Sequence, residues 1–161
     1  MPRQHISRFP YYLPNISSTF DYSLHDPHLT SLGESQAQSL LATSRFPSSA
    51  LLVSSPLRRT LQTALIGFNR PPLPHPGFQE NSAKPCDTGS PREVLEKEHP
   101  GLDYSLVVDG WDSKEGEWSP DETSLAMRAC KMREWLKERE EEEIIVVTHG
   151  GNSTILTVDV V

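Results

Sequence analysis

Two patterns of hydrophobic and polar positions take turns along this chain. The clearest is Glu143-Ile144-Ile145-Val146-Val147-Thr148-His149-Gly150-Gly151, where four consecutive β-branched apolar residues end at a histidine and two glycines. A short apolar run bounded by turn residues predicts a strand buried on both faces, as in a parallel sheet. Ser49-Ala50-Leu51-Leu52-Val53-Ser54-Ser55, stopped by Pro56, predicts a second buried strand. Helical periodicity fills the intervals. Thr30 is a good N-cap for a helix over residues 30–42, with Leu32, Ala37, Leu40 and Leu41 on one face and Gly33 weakening the first turn. Residues 56–68 predict a helix with Pro56 as its first residue, where a missing N–H costs nothing. Residues 91–98 predict a short helix ended by Pro100-Gly101. Residues 119–141 predict a long one, with Leu125, Ala129, Met132 and Leu136 on one stripe and Trp135 beside it. Its start is assigned to Ser119 as N-cap and Pro120 as first residue, with Asp121 and Glu122 in the first turn.

The remainder is less regular. Residues 71–77 are a proline-rich link, and Phe78-Gln79-Glu80 is a brief extended piece. Residues 3–8 are too polar for a central strand, and Pro10 and Pro14 limit any regular element after them. Helices alternating with short buried strands predict an α/β layered domain.

Composition narrows the class. At 161 residues the chain is expected to be a single domain over 1–161, with 1–14 divergent from the rest. Fifteen Lys and Arg against 22 Asp and Glu give a net charge of −7, which argues against nucleic acid or an anionic membrane as the main partner. Part of the excess, in residues 138–143, is expected to be a solvated helix end. Cys86 and Cys130 match no metal or redox spacing, so a reducing, cytoplasmic setting is the default. No run approaches the length of a membrane span. His25-Asp26-Pro27-His28 offers two histidines with no third ligand cluster, and no metal or organic cofactor is expected. Nothing in the sequence sets the oligomeric state.

The candidate chemistry sits where strands end. His149 closes a buried parallel strand, the edge at which open α/β sheets place ligands, and Gly150-Gly151 let the backbone turn there. Ser54-Ser55-Pro56-Leu57-Arg58-Arg59-Thr60-Leu61-Gln62-Thr63-Ala64 repeats the strand–turn–helix arrangement and puts two arginines in the helix's first turn. Helix N-termini attract anions, and a guanidinium grips a phosphate or carboxylate with two bonds. Two cations there oppose the helix dipole, and a bound anion would offset that cost. Trp111 and Trp118 are expected to pack in or under a loop, and Lys114 between them to be solvated.

Taken in order, Ser-Pro-Leu-Arg-Arg-Thr-Leu-Gln-Thr-Ala at 55–64 and Val-Val-Thr-His-Gly-Gly at 146–151 resemble the histidine phosphatase superfamily, the phosphoglycerate mutase-like proteins. Asp26-Pro27-His28-Leu29-Thr30-Ser31-Leu32-Gly33, then Gln36-Ala37, is similar to that family's approach to its first helix. The resemblance implies a three-layer α/β/α sandwich with a mostly parallel central sheet and a pocket for the phosphoryl group of a small phosphorylated molecule. In the family a histidine in Arg-His-Gly attacks phosphorus, two arginines and a second histidine hold the oxygens, and a carboxylic acid protonates the leaving oxygen. Carried over, His149 matches the second histidine, Arg59 the later arginine, and Glu80 the acid, with Asp87 its rival. Arg8 and Asn15 keep the first motif's spacing of seven, and Gly150 stands beside the site. Phe9 occupies the nucleophile's place, and His5 is too far along the chain to replace it. With ten residues after Gly151, the fold is expected to be incomplete at both ends. Two functions follow: a phosphatase or phosphomutase of small phosphorylated metabolites, or an inactive relative binding an anion or a protein.

Overall fold

A computed structural model describes residues 3–5, 22–43 and 46–150 of the chain. Its centre is a parallel sheet of four strands: β1 (Arg3–His5), β2 (Leu51–Ser54), β3 (Leu73–Pro74) and β4 (Glu143–Val147). They lie in the order β1-β4-β2-β3. Among the described residues four α-helices accompany them: α1 (Ser31–Thr43), α2 (Arg58–Phe68), α3 (Arg92–Glu98) and α4 (Glu122–Lys137).

The two apolar runs become the two middle strands, paired from Leu51 with Ile144 to Ser54 with Val147. Their side chains alternate between faces, as the strand period of two requires. Leu52, Ile145 and Val147 pack with Ala64 of α2 on one face. Val53, Ile144 and Val146 pack with Ala129, Met132 and Leu136 of α4 on the other. Helices on both faces make the three-layer α/β sandwich that the sequence predicts. A third apolar cluster, with Leu57, Leu61, Leu95, Tyr104, Val107 and Trp111, lies beyond the strand ends. Trp111 is wholly buried there and Trp118 packs against the cluster, as expected of loop aromatics.

Several boundaries differ from the sequence reading, each for a local reason. The link over 71–77 contains β3, since parallel pairing of Leu73 and Pro74 with Val53 and Ser54 uses backbone atoms that composition does not register. Arg3–His5, read as too polar for a central strand, pairs in parallel with Glu143–Ile145 and is an edge strand of the described sheet. Helix α2 begins at Arg58, two residues after Pro56, because Leu57 is extended at φ −62° and ψ 140°. Helix α4 starts at Glu122, capped by the Asp121 carboxylate accepting from the Ser124 amide at 3.0 Å, so Ser119 and Pro120 stand outside it. It ends at Lys137, which leaves most of the 138–143 acidic run in the connection to β4. Thr30 caps α1 as predicted, its hydroxyl accepting from the Gly33 amide at 3.1 Å. The inward face of α1 is built on Gly33 and Ala37, and Leu32 is exposed. A Cβ at Gly33 would stand 3.2 Å from the Leu29 side chain, so the small residue permits close packing there.

Because β2, β3 and β4 are parallel, the segments after Ser54, Pro74 and Val147 leave the sheet along one edge. That edge carries the candidate site.

Candidate functional site

The turn after β2 is anchored to the turn after β4. The Ser55 amide donates to the Val147 carbonyl at 2.9 Å, and the Ser55 hydroxyl lies 2.9 Å from His149 Nε2. His149 Nδ1 lies 3.1 Å from a guanidinium nitrogen of Arg59. An arginine only donates, so Nδ1 accepts and Nε2 carries the proton toward Ser55. His149 is therefore neutral and fixed in one tautomer. Burial pushes its pKa well below the ordinary histidine value, and Arg59, Lys114 and Arg128 push it the same way.

Arg59 extends from the first turn of α2. One nitrogen donates to the Cys86 carbonyl at 2.5 Å, and the other reaches both His149 and Asp87 Oδ1, the latter at 3.1 Å. Asp87 is held from its second oxygen by the Ser82 hydroxyl at 2.5 Å. Glu80 approaches from the segment after β3, with Oε2 3.9 Å from His149 Nδ1 and Oε1 accepting from the Asn81 amide at 2.9 Å. Burial raises the Glu80 pKa and Asp87 adds to it, against the Asn81 amide and the positive charges of Arg59 and Lys114. A raised pKa shifts a carboxyl toward the form that can donate a proton.

A neutral histidine, a fixed guanidinium and a protonatable carboxyl thus meet at the carboxyl edge of a parallel sheet. A sequence profile of the histidine phosphatase superfamily (branch 1) matches residues 18–161. This chain belongs to the histidine phosphatase superfamily. It is 33% identical over 138 residues to a probable phosphatase of Schizosaccharomyces pombe, covering 78% of this chain and 63% of that protein. It is 29% identical to phosphoglycerate mutase-like protein 1 of Arabidopsis thaliana, covering 85% of this chain and 62% of that one. The chain therefore spans a little over three-fifths of the length of these relatives.

In this member of the superfamily the side chains of His149, Arg59, Glu80 and Asp87 lie together. Arg8, Phe9 and Asn15 lie outside the described residues. Gly150 follows His149, and among the described residues nothing lies within 4 Å of where its Cβ would stand.

The paired-arginine expectation is corrected. Arg58 turns away, donating to both Glu98 oxygens at 2.7 and 2.6 Å and to the Asp26 carbonyl at 3.3 Å. The α2 N-terminus is occupied by a carboxylate of this same chain, Asp26 Oδ1, which accepts from the Arg58 amide at 3.0 Å. Ser55, the first residue of the 55–64 motif, holds His149, and two contributors carry no clear signal in the sequence: the buried cations Lys114 and Arg128. Lys114, expected in solvent, is 9% exposed. Arg128 falls three residues after Leu125 on the inward side of α4, where an apolar-stripe search skips it. Among the described residues no three His, Cys, Asp or Glu side chains are disposed to hold a metal ion, and no helix is long and apolar enough to cross a membrane.

Proposed function

We propose that the strand-end cluster binds the phosphoryl group of a small phosphorylated molecule, with Arg59 and His149 as its ligands. Arg8 and Asn15 join them from the N-terminal segment, and the Gly150 backbone lines the same side. Glu80 is the proton donor to the leaving oxygen, and Asp87 is the carboxylate that orients Arg59. The single observation that supports this reading is the bridging position of Arg59 between Asp87 and His149, with the Glu80 carboxyl beside the same histidine nitrogen. Phosphoryl transfer depends mostly on positioning and on cations around the equatorial oxygens, and a guanidinium held in advance meets that need without reorganisation. The division between the two carboxylates follows from their surroundings. Asp87 is paired with a permanent cation, whereas Glu80 is partly buried beside a neutral histidine and its pKa is raised.

A second reading is favoured by Phe9. The spacing of Arg8 and Asn15 puts this phenyl ring where the family has its nucleophilic histidine, and a phenyl ring neither attacks phosphorus nor takes a proton. On that reading the chain binds phosphate and does not turn it over efficiently. Isothermal titration with inorganic phosphate, beside hydrolysis of an aryl phosphate by the parent chain and by Phe9→His, tests both. The expected result is phosphate binding by both proteins, with hydrolysis gained only on Phe9→His. Parent hydrolysis at an ordinary enzymatic rate would remove the second reading, and absence of phosphate binding would remove both.

A further inference from the structure

The segment that carries Glu80 is gripped by its backbone. The Phe78 carbonyl accepts from the Thr148 hydroxyl at 2.8 Å, the Gln79 carbonyl from the Arg128 guanidinium at 3.3 Å, and the Glu80 carbonyl from Lys114 Nζ at 2.9 Å. Three consecutive carbonyls are thus held by side chains from three places: the residue after β4, the inward face of α4, and the loop over residues 112–115. The same guanidinium nitrogen of Arg128 also donates to Asn81 Oδ1 at 2.8 Å, and Gln79 Nε2 donates to the Trp111 carbonyl at 2.9 Å.

Burying two cations on backbone oxygens is costly. Arg128 is 5% exposed, and among the described residues neither it nor Lys114 forms a salt bridge. Lys114 in addition sits at φ 57°, in the left-handed region that a long side chain rarely adopts. Burial pulls its ammonium down to about 8 and the Arg128 guanidinium to about 10. Strain of this kind persists where surrounding structure over-determines it, and such positions cluster at functional sites.

We propose that Lys114 and Arg128 are positioning residues that clamp residues 78–81, so that the Glu80 carboxyl stays partly buried against His149. The clamp rests on the reading of Glu80 as the acid and adds to it a device that limits the acid's exposure to water. Its action is mechanical more than electrostatic, and the two predict opposite signs. As bare positive charges, Lys114 and Arg128 favour an ionised Glu80, so deleting either would raise the Glu80 pKa. As clamps they enforce the burial that is the largest cause of its raised pKa, so releasing them lets the carboxyl reach water and its pKa falls. Among the described residues, the charged and titratable groups facing Glu80 are Arg59 from α2, Asp87, Lys114, Arg128 from α4 and His149 after β4.

The test is a carbon-detected NMR titration of the side-chain carboxyls in glutamate-labelled full chain, with Glu80→Gln to assign the resonance. Lys114→Met is expected to lower the Glu80 pKa by about one unit, a shift of ordinary environmental size. Lys114→Arg, which keeps charge and donors, is expected to restore at least half of it. A rise on Lys114→Met, or no change, overturns the clamp. Asn81→Ala serves if Lys114→Met does not fold, because it removes one acceptor of Arg128 and leaves both cations in place. It is expected to lower the Glu80 pKa by a smaller amount, and a rise or no change there counts equally against the proposal. Inorganic phosphate titrated into the parent chain separates the two levels. Loss of phosphate binding fails the site's reading, whereas intact binding with the wrong sign at Glu80 fails the clamp alone.

Discussion

Arg58 and Arg59 are neighbours in the first turn of one helix, yet they serve two regions of different physics. About 100° of rotation separates adjacent helical side chains. Arg59 turns inward to the pocket, where it meets His149, Asp87 and the Cys86 carbonyl. Arg58 turns outward to a latch, where Glu98 of α3 and the Asp26 carbonyl hold it. In the pocket a permanent cation faces a neutral histidine, and its partner Asp87 balances it without enclosing it. In the latch the cation is gripped by both oxygens of one carboxylate and has little left to offer a ligand. A basic pair in sequence is therefore one ligand-facing arginine and one fastener. Asp26 sharpens the point, because the anion at the α2 N-terminus is a protein carboxylate.

Removing the pocket arginine is expected to have the largest effect. Arg59→Met deletes charge-assisted contacts and should weaken inorganic phosphate binding about 100-fold, the equivalent of roughly 2–3 kcal/mol. It should also free His149 Nδ1 from its donor. Burial, the largest cause of the depressed His149 pKa, remains, so the pKa should recover only in part. Calorimetry with phosphate and histidine NMR check the two halves. Unchanged phosphate affinity would erase the distinction between the two arginines.

The latch carboxylate comes second. Asp26 is wholly buried at φ 38°, a conformation that Asp tolerates better than most residues. Burial raises its pKa, against the pull of Ser90, Arg58 and Arg59. A raised folded pKa means that the native state holds the proton more tightly than the unfolded chain. The stability Asp26 contributes through protonation is thus full at low pH and is lost as pH rises through the folded value. Two substitutions should part company at pH 7. Asp26→Ala leaves the Arg58 amide without its cap and should cost about 1–2 kcal/mol. Asp26→Asn keeps an acceptor without a buried charge and should cost less than half as much. Chemical denaturation of both variants measures this, and equal losses would show that charge, not capping, is what the latch needs.

What the sequence discloses follows the same division. The buried strands and the motifs at their ends are legible because apolar runs stopped by Pro56, or by Gly150 and Gly151, are local signals. Those signals alone put His149 and Arg59 at one edge of a sheet. Arg58 and Lys114 are misread because their roles come from contacts far away in sequence. Arg58 meets a glutamate 40 residues on, and Lys114 meets a carbonyl 34 residues back. Local periodicity contains neither. Strand β3 is hidden for another reason: Leu73-Pro74 pairs through its backbone with β2, and a proline-rich link has the composition of a loop whether or not it pairs.

The smallest effect is expected at Arg58, and its smallness is informative. The Arg58–Glu98 pair has good two-point geometry, but its side chains are 15% and 30% exposed, so solvent screens it. Arg58→Met should cost no more than about 1 kcal/mol of stability, as measured for exposed ion pairs. Phosphate affinity should stay within about 3-fold of the parent, since the pocket arginine is untouched. The pH dependence has a definite sign. The bond from Arg58 lowers the Glu98 pKa, so its contribution is present above the unfolded carboxylate value and is lost as pH falls through the depressed folded one. In Arg58→Met that acid-side loss should disappear, leaving a flatter stability profile below about pH 4.5. Denaturation curves at about pH 3.5 and 7 would show the parent–variant gap closing toward the lower pH. A gap that stays constant would mean that Arg58 acts through packing of its alkyl stem, and a phosphate affinity that falls with it would return Arg58 to the pocket.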